Sequence, residues 1–73
     1  MSSGRPVKRS LTIAGHRTSI SLEPAFWEAL KALARAEKVP VAELIATIDA
    51  ARGEAGLSSA IRVYLFERAR GGR

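Results

Sequence analysis

The stretch Arg17-Thr18-Ser19-Ile20-Ser21-Leu22-Glu23-Pro24-Ala25-Phe26-Trp27-Glu28-Ala29-Leu30 changes period in its middle, and that change decides the fold. Up to Leu22 it alternates, with Thr18, Ile20 and Leu22 on one parity and Arg17, Ser19 and Ser21 on the other, the pattern of a strand with one apolar face. Pro24 has a φ suited to the first turn of a helix and no N–H to leave unpaired there, and Glu23 stands at the positive end of the helix dipole. Phe26, Leu30 and Leu33, with Trp27 and Ala34, then recur at helical spacing, which predicts a first helix from Pro24 to Glu37 or Lys38.

Upstream, a second alternating run places Val7, Leu11 and Ile13 on odd positions together with Arg9, and Lys8, Ser10 and Thr12 on even ones. The apolar parity therefore switches between Ile13 and Thr18, so a single regular strand would put the two apolar sets on opposite faces. Ala14-Gly15-His16 is where the register resets, by a tight turn in preference to a bulge, with Gly15 supplying the φ freedom. Val7 to Ile13 is then an arm or an extra strand beside Arg17 to Leu22. Residues 1–6, small and polar with Gly4 and Pro6, read as a flexible lead-in.

Downstream, Lys38-Val39-Pro40 breaks the first helix, and Val41, Leu44, Ile45 and Ile48 mark a second that runs from Pro40 to Arg52 with Gly53 as its stop. Gly53-Glu54-Ala55-Gly56 is a turn, and Ser58 is placed to cap a third helix. Ala60, Ile61, Val63, Tyr64, Leu65 and Phe66 make that helix apolar around most of its circumference, more than one short chain can cover. The folded domain is expected over residues 7–70 and a tail over 71–73.

Composition narrows the function. A chain of 73 residues holds one domain with a marginal core, and with no Cys and one His, disulfides and metals are closed as means of support, which leaves oligomerisation. The net charge is +5 and the basic residues crowd the ends: Arg5, Lys8, Arg9 and Arg17 precede the first acid, Glu23, while Arg68, Arg70 and Arg73 gather at the other end. A solubilising surface and a polyanion both account for this, and among polyanions nucleic acid is favoured over a membrane because no segment joins a large apolar face to a basic one. The N-terminus has no apolar run of secretory type, so a cytoplasmic location is expected, nucleoid-associated when bound.

Catalysis finds little support. With one His, no Cys and a single Asp, Asp49, the chain has no Cys/His pair, no zinc-ligand spacing and no Gly-rich phosphate loop, so no enzyme activity, no cofactor and no metal are expected. What remains is a strand with an Arg/Ser face followed by helices. Its backbone needs a partner, and pairing with a second copy of itself about a two-fold axis would give an antiparallel ribbon of a size that enters the DNA major groove. Phe26, Trp27, Tyr64 and Phe66, at helical spacing among Leu and Ile, read as core in preference to base-stacking platforms, and Arg62 reads as an interface or surface residue.

Taken with Val39-Pro40-Val41-Ala42-Glu43-Leu44-Ile45 and Leu57-Ser58-Ser59-Ala60-Ile61-Arg62-Val63-Tyr64-Leu65, the opening stretch resembles the ribbon-helix-helix DNA-binding family, and Lys8 to Arg68 as a whole is similar to a bacterial subgroup of it. The resemblance implies a mainly α fold with a short β-ribbon, an intertwined homodimer, and here a second helix interrupted to give a third. It places base-contacting side chains at Arg17, Ser19 and Ser21, and phosphate contacts at the amides of Val41 and Ala42. The extra basic stretch adds Lys8 and Arg9 as phosphate contacts, with His16 either a turn residue or a further contact. The dimer core implied is Ile20, Leu22, Phe26, Trp27, Leu30, Leu44, Ile45, Ile48, Ile61 and Leu65.

Three departures from the family pattern stand out. Pro40 replaces the usual Ser or Thr cap, Asp49 to Gly56 interrupts the second helix, and Lys8 to Ile13 precedes the strand. The function expected is sequence-specific binding of double-stranded DNA as a homodimer, by a transcriptional repressor or regulator. The alternative is a dimeric protein-interaction module or antitoxin-like binder of a protein partner; no membrane association is expected.

Overall fold

A shift of apolar parity between two strands is what a two-residue hairpin requires, and the computed structural model, which describes residues 4–71, contains one. Strand β1 (Val7–Ile13) pairs antiparallel with β2 (His16–Leu22) from Ile13 opposite His16 to Val7 opposite Leu22. Ala14 and Gly15 form the loop with φ of 51° and 84°. Two successive left-handed residues are the type I′ geometry, whose twist matches that of the flanking strands. Across such a loop odd positions face even ones, so Leu11 and Ile13 lie on the same side as Ile20 and Leu22.

This revises the expectation that β2 must find its partner in a second copy. The partner is the chain's own β1, so Val7 to Ile13 is a strand and the register resets by a turn. Of the lead-in and tail, residues 1–3 and 72–73 lie outside the described residues.

Helix α1 (Pro24–Glu37) has the expected bounds and ends on Lys38, whose φ of 61° lets Val39 N–H reach the Ala34 carbonyl at 3.0 Å. Helix α2 (Val41–Ala51) begins one residue later than expected, because Pro40 caps it with its carbonyl, which accepts from Glu43 and Leu44 N–H at 3.0 and 3.1 Å. Arg52 closes the corner after it, with Nε 2.6 Å from Asp49 Oδ1 and a second hydrogen bond to the Ala55 carbonyl. Helix α3 (Leu57–Gly71) follows, so the interruption of the second helix is a built corner.

The inner sheet face and the three helices enclose one core, in which Leu22, Leu30, Ile45 and Ile61 are fully buried. Burying a side chain of this size contributes roughly 1.5–3 kcal/mol. Of the residues expected to form a dimer core, Ile20, Leu22, Leu30, Leu44, Ile45, Ile48, Ile61 and Leu65 are buried within the single chain, and Phe26 and Trp27 pack half-buried against them. The second strand is what makes this possible, since it widens the floor on which the helices sit. Helix α3 still keeps a surplus: Ile61 and Leu65 point inward, whereas Val63 is 56% and Phe66 61% exposed. Phe66 is therefore not a core residue, contrary to the reading of its spacing.

Two ion pairs fix α1 against α3, Arg68 with Glu37 at the end of α1 and Arg62 with Glu23 just before its start. Arg62 donates from Nε and Nη2 to the two carboxylate oxygens of Glu23 at 2.9 and 3.2 Å. The Arg62 hydrogen bonds, aided by the backbone N–H of Glu23, hold the Glu23 carboxyl below its ordinary pKa of 4.5.

Two stability measurements follow from these contacts. Ala14→Asn relieves the left-handed cost borne by alanine and should raise stability by about 0.5–1 kcal/mol in urea unfolding. Because the folded pKa of Glu23 lies below its ordinary value, its contribution is present above pH 4.5 and lost as pH falls through the lowered value. Glu23→Gln should accordingly melt below the wild type at neutral pH, with the gap closing in acid. A gap independent of pH would contradict the role given to this pair.

Candidate nucleic-acid interface

The sheet face turned away from the core carries Lys8, Ser10 and Thr12 from β1 and Arg17, Ser19 and Ser21 from β2, all exposed. Cross-strand partners are Lys8 with Ser21, Ser10 with Ser19, and Thr12 with Arg17. The face holds no carboxylate and two cations, Arg17 near the turn and Lys8 near the open end. Between them lie hydroxyls that can donate or accept, and a guanidinium there can make two parallel hydrogen bonds to a guanine edge. Two strands about 4.8 Å apart make a ribbon that a major groove about 12 Å wide admits.

A two-residue loop is flanked by a hydrogen-bonded pair, so Arg17, Ser19 and Ser21 direct their backbone groups away from β1. Ser21 N–H in fact donates to Ser58 Oγ at 3.2 Å. The first turn of α3, with its positive dipole end, thus covers one end of the β2 edge. Ser58, expected as the cap of α3, lies inside its first turn because the helix begins at Leu57; that a serine stands near a helix start is legible in the sequence. Its service to the sheet edge, across 37 residues, is not.

Arg9 keeps the inner parity of its odd position but is not free for the phosphate contact expected of it. It sits opposite Ile20 on the inner side, with its guanidinium carbon 4.5 Å from the centre of the Trp27 ring. Its Nε is buried and has no acceptor among the described residues. The stacking contributes about 0.5–2 kcal/mol to holding the hairpin on α1, and it points Arg9 away from the outer face that presents Lys8.

His16 is exposed beside the turn, where a hollow of about 240 Å³ is shared by Arg17, Asp49 and Arg52. That hollow takes the C-terminal end of α2. Val41 and Ala42 begin the same helix and lie some 12 Å further along it at about 1.5 Å per residue, so the fold does not bring their amides beside Arg17. Those two N–H groups have no acceptor among the described residues, since Pro40 accepts from the next two. Among the described residues no cluster of three His, Cys, Asp or Glu side chains could hold a metal ion, and no helix is long and apolar enough to cross a membrane.

Comparison with known proteins agrees with this architecture. The family profile described as a ribbon-helix-helix domain matches residues 6–69. No curated protein and no solved structure matches the chain. Domains of that family are generally DNA-binding regulators, typically without catalytic activity, and usually bind DNA as dimers. With a strand pair leading into helices and a match spanning nearly the whole sequence, this chain belongs to the ribbon-helix-helix domain family.

Proposed function

We propose that the protein binds double-stranded DNA sequence-specifically as a homodimer and regulates transcription, most simply as a repressor acting in the cytoplasm on the nucleoid. The observation that carries this reading is the outer sheet face: six exposed polar residues, two of them cationic, and no acid. Arg17, Ser19 and Ser21 contact base edges, Lys8 and His16 hold phosphates at the two ends of the ribbon, and the open amides of Val41 and Ala42 are offered to a flanking phosphate. Self-association is supported by α3, which leaves Val63 and Phe66 uncovered. The same apolar ridge favours a second reading, a module that binds a protein partner in the manner of an antitoxin.

Selection of DNA sequences at near-physiological salt separates the two. A DNA-reading dimer enriches a consensus holding two copies of one motif related by two-fold symmetry, whereas a protein-binding module returns a random pool. Arg17→Ala should relax preference at its own base positions at a cost of about 1–3 kcal/mol, while Lys8→Ala should weaken all sequences alike and lower the salt slope by about one. Arg9→Ala should leave that slope unchanged and lower the melting temperature instead.

A further inference from the structure

We propose that the hollow where the hairpin turn meets the corner between α2 and α3 is a seat for an oxyanion of the phosphate type, carried on a DNA backbone or by a small free anion. The seat is defined without a duplex, so it goes beyond the DNA reading above. About 240 Å³ lies between the turn residues His16, Arg17 and Thr18 and the corner residues Asp49 and Arg52. At about 30 Å³ per water molecule that is room for several waters, and so for a tetrahedral anion. Arg52 is held in place around it. Its Nε donates to Asp49 Oδ1 at 2.6 Å and its Nη1 to the Ala55 carbonyl, which fixes the guanidinium plane and leaves Nη2 with no acceptor among the described residues. A fork fixed in this way loses little freedom when it takes a further oxygen.

The charge balance favours an anion. Asp49 is the one acid among the lining residues and Arg52 already holds it, so the guanidinium of Arg17 stands uncompensated. The side chains of Arg17 and His16 are exposed and make no hydrogen bond or ion pair among the described residues. Helix dipoles do not decide the matter, since α2 ends and α3 begins at this corner and their ends oppose each other. The donors left open are the guanidinium of Arg17, Nη2 of Arg52, the imidazole of His16 and the hydroxyl of Thr18. Such a set suits an acceptor with several oxygens and repels a cation. Val41 and Ala42, at the far end of α2, have no part in it.

The experiment is amide NMR of the free protein titrated with inorganic phosphate, against sodium chloride at matched ionic strength. The amides of His16, Arg17, Thr18, Asp49 and Arg52 should shift together and saturate with phosphate and not with chloride. His16→Glu, which sets an acid into the seat at an exposed position, should weaken that binding roughly tenfold with an unchanged melting profile. Arg52→Lys, which keeps the charge and loses the fork, should weaken it as well; should the corner not survive that change, His16→Glu alone decides. Repeating the titration on protein bound to a selected duplex identifies the source: amides that no longer respond mean that a backbone phosphate fills the seat, and amides that still respond mean a free anion. Equal shifts with chloride, shifts spread as widely over Lys8 and Arg70 as over the hollow, or binding that His16→Glu leaves unchanged each overturn the proposal with the DNA reading intact. Saturable binding in a protein that selects no DNA consensus upholds the seat and overturns that reading.

Discussion

The backbone of His16–Leu22 has to find hydrogen-bond partners before anything else in the chain can be placed, because the helices that follow rest on its inner side chains. A sheet one strand wide offers those helices too narrow a floor and leaves both edges open. The chain meets the requirement locally, with two residues in left-handed conformation and a second strand of equal length. The cost is borne at Ala14, where an L-residue with a side chain holds a φ of 51°.

Much else follows from that closure. Leu11, Ile13, Ile20 and Leu22 come to one side, so Lys8, Ser10, Thr12, Arg17, Ser19 and Ser21 must come to the other, and a polar, acid-free surface arises as the geometric complement of the core. Arg9 is the exception, an arginine on the inner side whose charge is met by the face of Trp27. Longer-range contacts then hold the helices to one another and to the sheet, among them the pair of Arg68 with Glu37. Arg62 grips Glu23 at the start of α1, and Ser58 takes the N–H of Ser21, so α3 is tied both to α1 and to the ribbon edge. What α3 leaves exposed within one chain is Val63 and Phe66.

Period and punctuation made most of the fold legible. The switch of parity around Gly15, the helix-opening Pro24, the break at Pro40 and the corner after Asp49 each have a local cause, and each falls within a residue or so of its place. The exposure of Arg17, Ser19 and Ser21 was legible for the same reason, since strict alternation decides it. Harder to read were features set by what lies across the chain. Whether β2 pairs with itself or with β1 depends on a choice between partners that alternation leaves open. Parity put Arg9 on the inner side, but its seat on the Trp27 ring depends on how α1 packs, and the outward turn of Phe66 on which side of α3 the sheet and α1 happen to cover.

The pairing of β1 with β2 inside one chain is the claim on which the core and the outer face both rest. Isotope-filtered NMR on a mixture of labelled and unlabelled protein, under conditions where the protein is self-associated, tests it directly through the cross-strand Hα contact between Ser10 and Ser19. The account predicts that this contact arises within a single labelled chain. Its appearance only between labelled and unlabelled chains would mean that the strands are exchanged between copies, and would contradict it.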